Sequence, residues 1–223
     1  MITEQLNLFN LLSDKPTYLN GKVDPAINLD IESNEITFPQ VDGLTYISNF
    51  ISSEEHNELL SDIDSQVWLD DLKRRVQHYG YKYDYKNHQI NRSMYIAPLP
   101  DWAMKIAHRL DGTYSNTLPD QVIVNEYEPG QGIENHIDCK TCFRETVISL
   151  SLGSPCVMNF AEYRGEGKKS ILLEPRSLIV LKKAARYDWT HGIAKRKSDV
   201  WNDEKLIRSR RVSLTFRTVI LPN

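Results

Sequence analysis

A run of short alternating segments in the second half of the chain constrains the fold more than any other feature. From residue 121 onward, polar and apolar residues alternate with a period of two, and turn residues such as Pro129-Gly130 separate the segments. The segments are residues 122–127, 147–152, 157–160, 170–173, 178–181 and 211–220. Such alternation predicts β-strands. Many short strands in succession predict an antiparallel double-sheet jelly roll.

Two helices are predicted ahead of these strands. Ser52 and Glu55 have the spacing of a capping box, and apolar residues follow at helical spacing, so one helix is predicted over 53–66. The second begins at Pro100-Asp101. The fold class is therefore α+β, a double-stranded β-helix (jelly roll) core with N-terminal helices. At 223 residues we expect a polar N-terminal arm (1–40) and a single domain (41–223).

Composition excludes several classes of protein. Charged residues make up 26% and hydrophobic residues 40% of the chain, and no apolar run is long enough to span a membrane. The N-terminus lacks the basic region of a signal peptide, and three cysteines predict reduced thiols in a cytoplasmic protein.

Because the net charge is −3, a nucleic acid would need a local basic patch, such as residues 73–75, 195–197 or 208–211. For any single patch, a solvated surface is the more common interpretation.

Three separated residues have the chemistry of a metal site. His136 and Asp138 are two positions apart, so on one strand they would face the same side, and His191 would complete the set. Two imidazoles and one carboxylate form a facial triad that binds Fe(II) and leaves other positions open. The ligand types alone also suit zinc or manganese, and a His-x-Asp pattern is short enough to arise by chance.

The last predicted strand carries a pair of arginines. Arg211, Ser213, Thr215 and Arg217 share one face, and the apolar residues between them share the other. The planar guanidinium fork binds carboxylates through two hydrogen bonds, so the pair could bracket a small dicarboxylate. The alternative is an edge strand with two solvated arginines.

Tyrosines and basic residues lie together in residues 72–85. Tyr79, Tyr81, Tyr83 and Tyr85 alternate, so on a strand they would line one face with basic groups nearby. Aromatic rings for bases and cations for phosphates suit single-stranded nucleic acid or an unstacked base. A tyrosine-rich hairpin that covers the core would give the same pattern.

Cys139 and Cys142 form a C-x-x-C pair immediately after Asp138. Such a pair could be redox-active or half of a zinc site. Only Cys156 remains as a further cysteine ligand, and no βαβ context of the thioredoxin type surrounds the pair. We therefore expect two reduced thiols with no role in catalysis.

Four ordered motifs resemble those of the AlkB-like 2-oxoglutarate/Fe(II) dioxygenases. They are residues 124–130 with 136–138, residues 149–153, residues 186–193 and residues 211–217, and the resemblance covers about residues 44–220. It implies Fe(II), 2-oxoglutarate and O2, with the metal held by His136, Asp138 and His191. It also implies that Arg211 binds the distal carboxylate of 2-oxoglutarate, that Arg217 lies near the metal end, and that Asn125 and Tyr127 hydrogen-bond the co-substrate.

The resemblance further implies a β-rich nucleotide-recognition lid over residues 72–97. The substrate-binding residues expected there are Arg74, Arg75, Tyr79 and Tyr81. The expected activity is oxidative dealkylation of N-alkylated bases in DNA or RNA, tRNA included, with release of formaldehyde and succinate. The alternatives are hydroxylation of a tRNA wobble-uridine side group, demethylation of a protein, or nucleic-acid binding without catalysis. We expect a monomer with no membrane partner.

Overall fold

The computed structural model describes residues 33–70 and 72–222, which form two facing β-sheets, a hairpin and three α-helices. The strands, in chain order, are β1 (Glu35–Thr37), β2 (Leu44–Ile47), β3 (Val76–Tyr81), β4 (Tyr95–Ala97), β5 (Gln121–Tyr127), β6 (Ile133–His136), β7 (Phe143–Gly153), β8 (Cys156–Glu162), β9 (Lys168–Leu173), β10 (Leu178–Leu181), β11 (Trp189–Ile193), β12 (Ser198–Trp201), β13 (Glu204–Ile207) and β14 (Arg211–Val219). The helices are α1 (Ser53–Asp64), α2 (Asp101–Leu110) and α3 (Lys183–Tyr187), with a short 3-10 helix at Arg92–Met94.

The two sheets have the antiparallel pairing of a jelly roll. The major sheet has the order β1-β2-β10-β7-β14-β5-β3-β4, and the minor sheet has the order β6-β11-β8-β9. All pairings between these strands are antiparallel. The predicted fold class and the six predicted strands are confirmed. The elements that sequence analysis did not assign include β1, β6, β11, α3 and the β12–β13 hairpin.

A layer of helices covers the outer face of the major sheet. Helix α1 begins with the predicted capping box, in which the Ser52 side chain accepts from the Glu55 amide and the Glu55 carboxylate accepts from the Ser52 amide. The helix buries Leu59 and Ile63, and α2 buries Ile106 and Leu110 against the sheet. Val212, Leu214 and Phe216 of β14 belong to the same cluster. The polar face of β14 must therefore look towards the minor sheet.

The space between the two sheets is only partly filled by apolar side chains. Ile179 and Leu181 of the major sheet pack with Met158, Phe160 and other residues of the minor sheet. The rest of this space is a cavity of about 400 Å³ that opens beneath the loop after β3. This cavity contains the candidate site.

The predicted arm and lid are only partly separate from this core. Residues 1–32 of the arm lie outside the described residues, but β1 falls within the predicted arm and pairs with β2. In the predicted lid, β3 pairs with β5 and β4 forms the sheet edge. Within the part of the chain that the structure describes, no helix is long and apolar enough to cross a membrane.

Candidate active site

Three side chains converge at one end of the cavity. His136 at the end of β6 and His191 in β11 are directly opposite each other in the strand register, and their ring centroids are 4.5 Å apart. Asp138 lies two residues beyond the end of β6, so the expectation that it shares a strand with His136 is wrong. One ligand atom from each residue lies within 4.8 Å of the others. Two nitrogens and one oxygen at this spacing could hold a first-row divalent metal ion.

The protonation states of these residues also suit a metal. Burial alone would raise the pKa of the Asp138 carboxyl, but the neighbouring Arg217 guanidinium holds that pKa well below its usual range. Burial lowers the pKa of His191 to about 4. His136 Nδ1 lies 2.9 Å from the Glu134 carbonyl oxygen, which can only accept, so Nδ1 carries a proton and Nε2 is the ring nitrogen left to bind a metal. An ionised carboxylate and neutral imidazoles are the forms that bind metal.

Two buried arginines of β14 flank the cavity. Arg217 Nη1 donates to Asp138 Oδ1 (2.9 Å), and Arg217 Nε donates to Gln121 Oε1 (2.8 Å). Arg211 Nη2 donates to Ser151 Oγ (2.9 Å). Since β14 lies between β7 and β5, the alternative of an edge strand with solvated arginines is wrong. Among the described residues, Arg211 Nε and Arg217 Nη2 have no hydrogen-bond partner although both atoms are buried.

The two β5 residues expected near the co-substrate also line the cavity. Asn125 and Tyr127 both contribute to its wall. Asn125 Oδ1 accepts from Arg74 Nε (2.8 Å). The Tyr127 ring lies between two guanidinium groups, with Arg74 at 5.3 Å and Arg211 at 5.5 Å from its centroid. One wall of the cavity is therefore strongly electropositive.

The expected substrate residues are divided between the two faces of the major sheet. Tyr79 is opposite Val122 in the register and packs edge-on against Trp102 in the helix-facing core. Arg75 forms an ion pair with Glu126 (2.6 Å) and lies over Trp68. The expectation that Tyr79 and Arg75 face the site is therefore wrong. Arg74 does line the cavity.

The row of tyrosines is broken by Gly80. Gly80 has a φ of +75°, and the β3–β4 register shifts between Gly80 and Tyr81. After this shift Tyr81 packs against Tyr95 beside the cavity rather than in it. The tyrosines of this segment that line the cavity are Tyr83 and Tyr85, and His88 follows them. A single glycine in an alternating segment is a known signal of a bulge and could have indicated this change.

The basic cluster at residues 208–211 is largely internal. Arg208 forms a buried ion pair with Asp199 (2.6 Å), and Arg210 pairs with Glu126 and Asp64. These charges stabilise the fold of the β12–β13 and β5 regions. They do not form an open patch for phosphates.

The cysteine pair next to Asp138 is oxidised in the structure. Cys139 and Cys142 form a disulfide, so the expectation of two reduced thiols is wrong. Their Cα atoms are 5.3 Å apart in the tight turn before β7, which is within the range that a disulfide spans. Overall composition could not reveal this local geometry. Cys156 is free and buried.

Comparisons with known proteins identify the family of this chain. Residues 43–217 match the 2OG-Fe(II) oxygenase superfamily. The solved structure of OsALKBH1 superposes with a TM-score of 0.58 at 15% identity, over 79% of this chain and 96% of that one. At this identity the likeness shows the fold alone.

Two curated relatives are more similar in sequence to this chain than OsALKBH1 is. The Alkylated DNA repair protein ALKBH8 homolog of Arabidopsis thaliana is 34% identical over 89% of this chain and 63% of its own length. The tRNA (carboxymethyluridine(34)-5-O)-methyltransferase ALKBH8 of Macaca fascicularis is 37% identical over 79% of this chain and 30% of its own length. The chain thus spans less than two thirds of either relative. The site, the fold and these matches together show that the chain belongs to the 2OG-Fe(II) oxygenase superfamily, as an AlkB-like 2-oxoglutarate-dependent oxygenase.

Proposed function

We propose that the protein is an Fe(II)- and 2-oxoglutarate-dependent dioxygenase that dealkylates N-alkylated bases in nucleic acid. The observation that supports this most strongly is the composition of one cavity. It contains the His136, Asp138 and His191 cluster, the two arginines of β14 and an aromatic opening. These three groups are suited to bind a metal ion, a dicarboxylate and a nucleic-acid base, respectively.

The metal would be held by His136, Asp138 and His191. When bound there, Fe(II) would supply the O2 chemistry by which decarboxylation of 2-oxoglutarate is coupled to oxidation of a substrate C–H bond. The chain fixes the ligands beforehand, since Arg217 holds the Asp138 carboxylate and the Glu134 carbonyl fixes the His136 tautomer.

Arg211 is suited to bind the distal carboxylate of 2-oxoglutarate. Its Nε is buried without a partner among the described residues, while the Ser151 hydroxyl holds Nη2. A buried donor of this kind is costly unless an anion accepts from it. Arg217, beside Asp138, lies at the metal end, and Asn125 and Tyr127 line the wall between.

Tyr83, Tyr85, His88 and Arg74 are suited to hold the base. They line the same cavity, and a neighbouring cavity of about 870 Å³ shares Tyr83 and Tyr85 with it. The second cavity is also lined by Lys82 and Lys86. Rings beside cations suit a nucleotide chain better than a small free metabolite.

The proposed reaction accounts for both atoms of O2. One atom of O2 enters succinate as 2-oxoglutarate loses CO2, and the other enters the N-methyl group. The resulting N-hydroxymethyl group breaks its C–N bond, which releases formaldehyde and returns the proton to the base nitrogen.

A second candidate is hydroxylation of a uridine side group in tRNA. It is favoured by the macaque relative, which is named for methyl transfer to carboxymethyluridine in tRNA. In that reaction the hydroxyl group stays on the product and no formaldehyde forms.

One assay separates these two candidates. The protein, Fe(II), 2-oxoglutarate and O2 are incubated with N-methylated and etheno-adduct DNA and RNA oligonucleotides and with tRNA carrying carboxymethyl-type uridines. Dealkylation gives loss of the alkyl group with formaldehyde, whereas hydroxylation gives a gain of one oxygen. The variant His136→Ala should abolish succinate formation, and the exposed residue His108 provides a matched control as His108→Ala. Persistent turnover in His136→Ala would refute the proposal.

A further inference from the structure

Arg186 is among the most deeply buried large side chains in the protein. It lies in the short helix α3, immediately before β11, and only 1% of its surface is exposed. Burial of a guanidinium group is unfavourable unless its donors are satisfied. The partners of Arg186 therefore indicate what the side chain does.

Those partners are main-chain carbonyl oxygens of the loop that follows β6 and of the first two residues of β7. Nη1 donates to the carbonyl of Asp138 (2.8 Å), and Nη2 donates to the carbonyls of Cys139 (2.9 Å) and Phe143 (3.3 Å). Nε makes a longer bond to the carbonyl of Arg144 (3.4 Å). One side chain thus holds the main chain at both ends of residues 138–144.

This loop carries the one metal-ligand candidate that no strand supports. His136 and His191 are fixed by the β6–β11 pairing, but β6 ends before Asp138. Arg217 holds the Asp138 carboxylate, whereas Arg186 holds the Asp138 main chain. Arg186 also stands five residues before His191, so it connects the two ligand-bearing segments.

We propose that Arg186 is a positioning residue that fixes the Asp138 main chain relative to His191 and thereby sets the metal affinity of the site. This inference rests on the metal site of the proposed function. Arginine is needed because its planar fork reaches several carbonyls at once, which a single lysine ammonium group cannot do.

The test compares Arg186→Lys and Arg186→Met with wild type and with Arg164→Met, a control at an exposed arginine. Mn(II) binding is measured by calorimetry without turnover, at a temperature where circular dichroism shows each variant folded. We expect Arg186→Lys to weaken Mn(II) binding about 10- to 100-fold, the range found when groups that orient metal ligands are removed. The visible absorption of bound Co(II) should also change, because it reports ligand geometry. The control should match wild type in both measurements.

Two results would overturn the inference. One is a folded Arg186→Lys variant with wild-type Mn(II) affinity and a wild-type Co(II) spectrum. The other is failure of the lysine variant to fold, which would make Arg186 a determinant of folding rather than of the site. If wild type itself bound neither Mn(II) nor Fe(II), the proposed function would fail as well, and this outcome is distinct from the first two.

Discussion

Replacement of Arg211 by methionine should separate co-substrate binding from folding. Only 3% of Arg211 is exposed, and its Nε has no partner among the described residues. In the protein without ligand, this charge is buried and only partly satisfied. Arg211→Met removes the buried charge while it keeps a long side chain in the same space.

The size of the effect follows from the donors that are lost. A hydrogen bond to a charged group contributes about 1.5–3 kcal/mol. A carboxylate that accepts two such bonds from Arg211 would therefore lose about 3–6 kcal/mol of binding free energy. Because about 1.4 kcal/mol corresponds to a tenfold change, 2-oxoglutarate should bind roughly 100- to 20,000-fold more weakly. The free energy of unfolding without ligand should change by less than about 1.5 kcal/mol, as in other swaps that conserve volume.

The assay is calorimetric titration of 2-oxoglutarate into Mn(II)-loaded protein, with urea unfolding of the metal-free protein measured in parallel. Arg210→Met is the matched control, because Arg210 is the preceding arginine and pairs with Glu126 outside the cavity. It should leave 2-oxoglutarate binding unchanged. Wild-type affinity for 2-oxoglutarate in folded Arg211→Met would show that the arginine has another role.

Three further predictions concern the surrounding structure. The hydrogen bond from Arg75 is the main cause of the lowered pKa of the Glu126 carboxyl in the folded protein. The ionised carboxylate therefore stabilises the fold above about pH 4.3, the pKa of an unfolded glutamate, and this contribution is lost as the pH falls through the lower pKa of the folded state. Glu126→Gln should therefore cost about 1–3 kcal/mol at neutral pH in urea unfolding, and its difference from wild type should shrink in acid. Replacement of both Cys139 and Cys142 by serine should leave Mn(II) affinity nearly unchanged, since Arg186 still holds the loop; calorimetry that showed a loss as large as in Arg186→Lys would contradict this. Gly80→Ala should destabilise the protein by about 1–3 kcal/mol in thermal unfolding, because φ is +75° and the added Cβ would collide with the Asp120 carbonyl; an unchanged Tm would contradict it.

The β14 prediction succeeded because the strand has one apolar face over its whole length. A shift of one residue would bury Arg211 and Arg217 in the helix-facing core and expose Val212 and Phe216, so the alternation permits one arrangement. The capping box at Ser52 also depends only on residues close together in the sequence. Features of this kind can be predicted from a single sequence because the deciding interactions lie within a few residues.

The prediction for the tyrosines failed because strand parity holds only along a continuous pleat. Tyr79 obeys the parity of β3 and points with Val122 towards the helices. Gly80 breaks the pleat, so residues beyond it follow a different register, and Tyr83 and Tyr85 reach the cavity instead. Whether a glycine in a strand forms a bulge depends on the neighbouring strand, which the local sequence does not contain.

The unequal pairing of the two β14 arginines links the fold to the chemistry. Arg217 donates to Asp138 and Gln121, and its charge keeps Asp138 ionised for a metal, but its buried Nη2 has no partner among the described residues. Arg211 has one hydroxyl partner and an unpaired buried Nε. A purely structural pair would be expected to leave no buried donor without a partner, since such a donor is destabilising. Both unpaired donors would gain an acceptor if a dicarboxylate binds in the cavity, and the imbalance in partners is explained if Asp138 and Gln121 already hold Arg217 at the metal site.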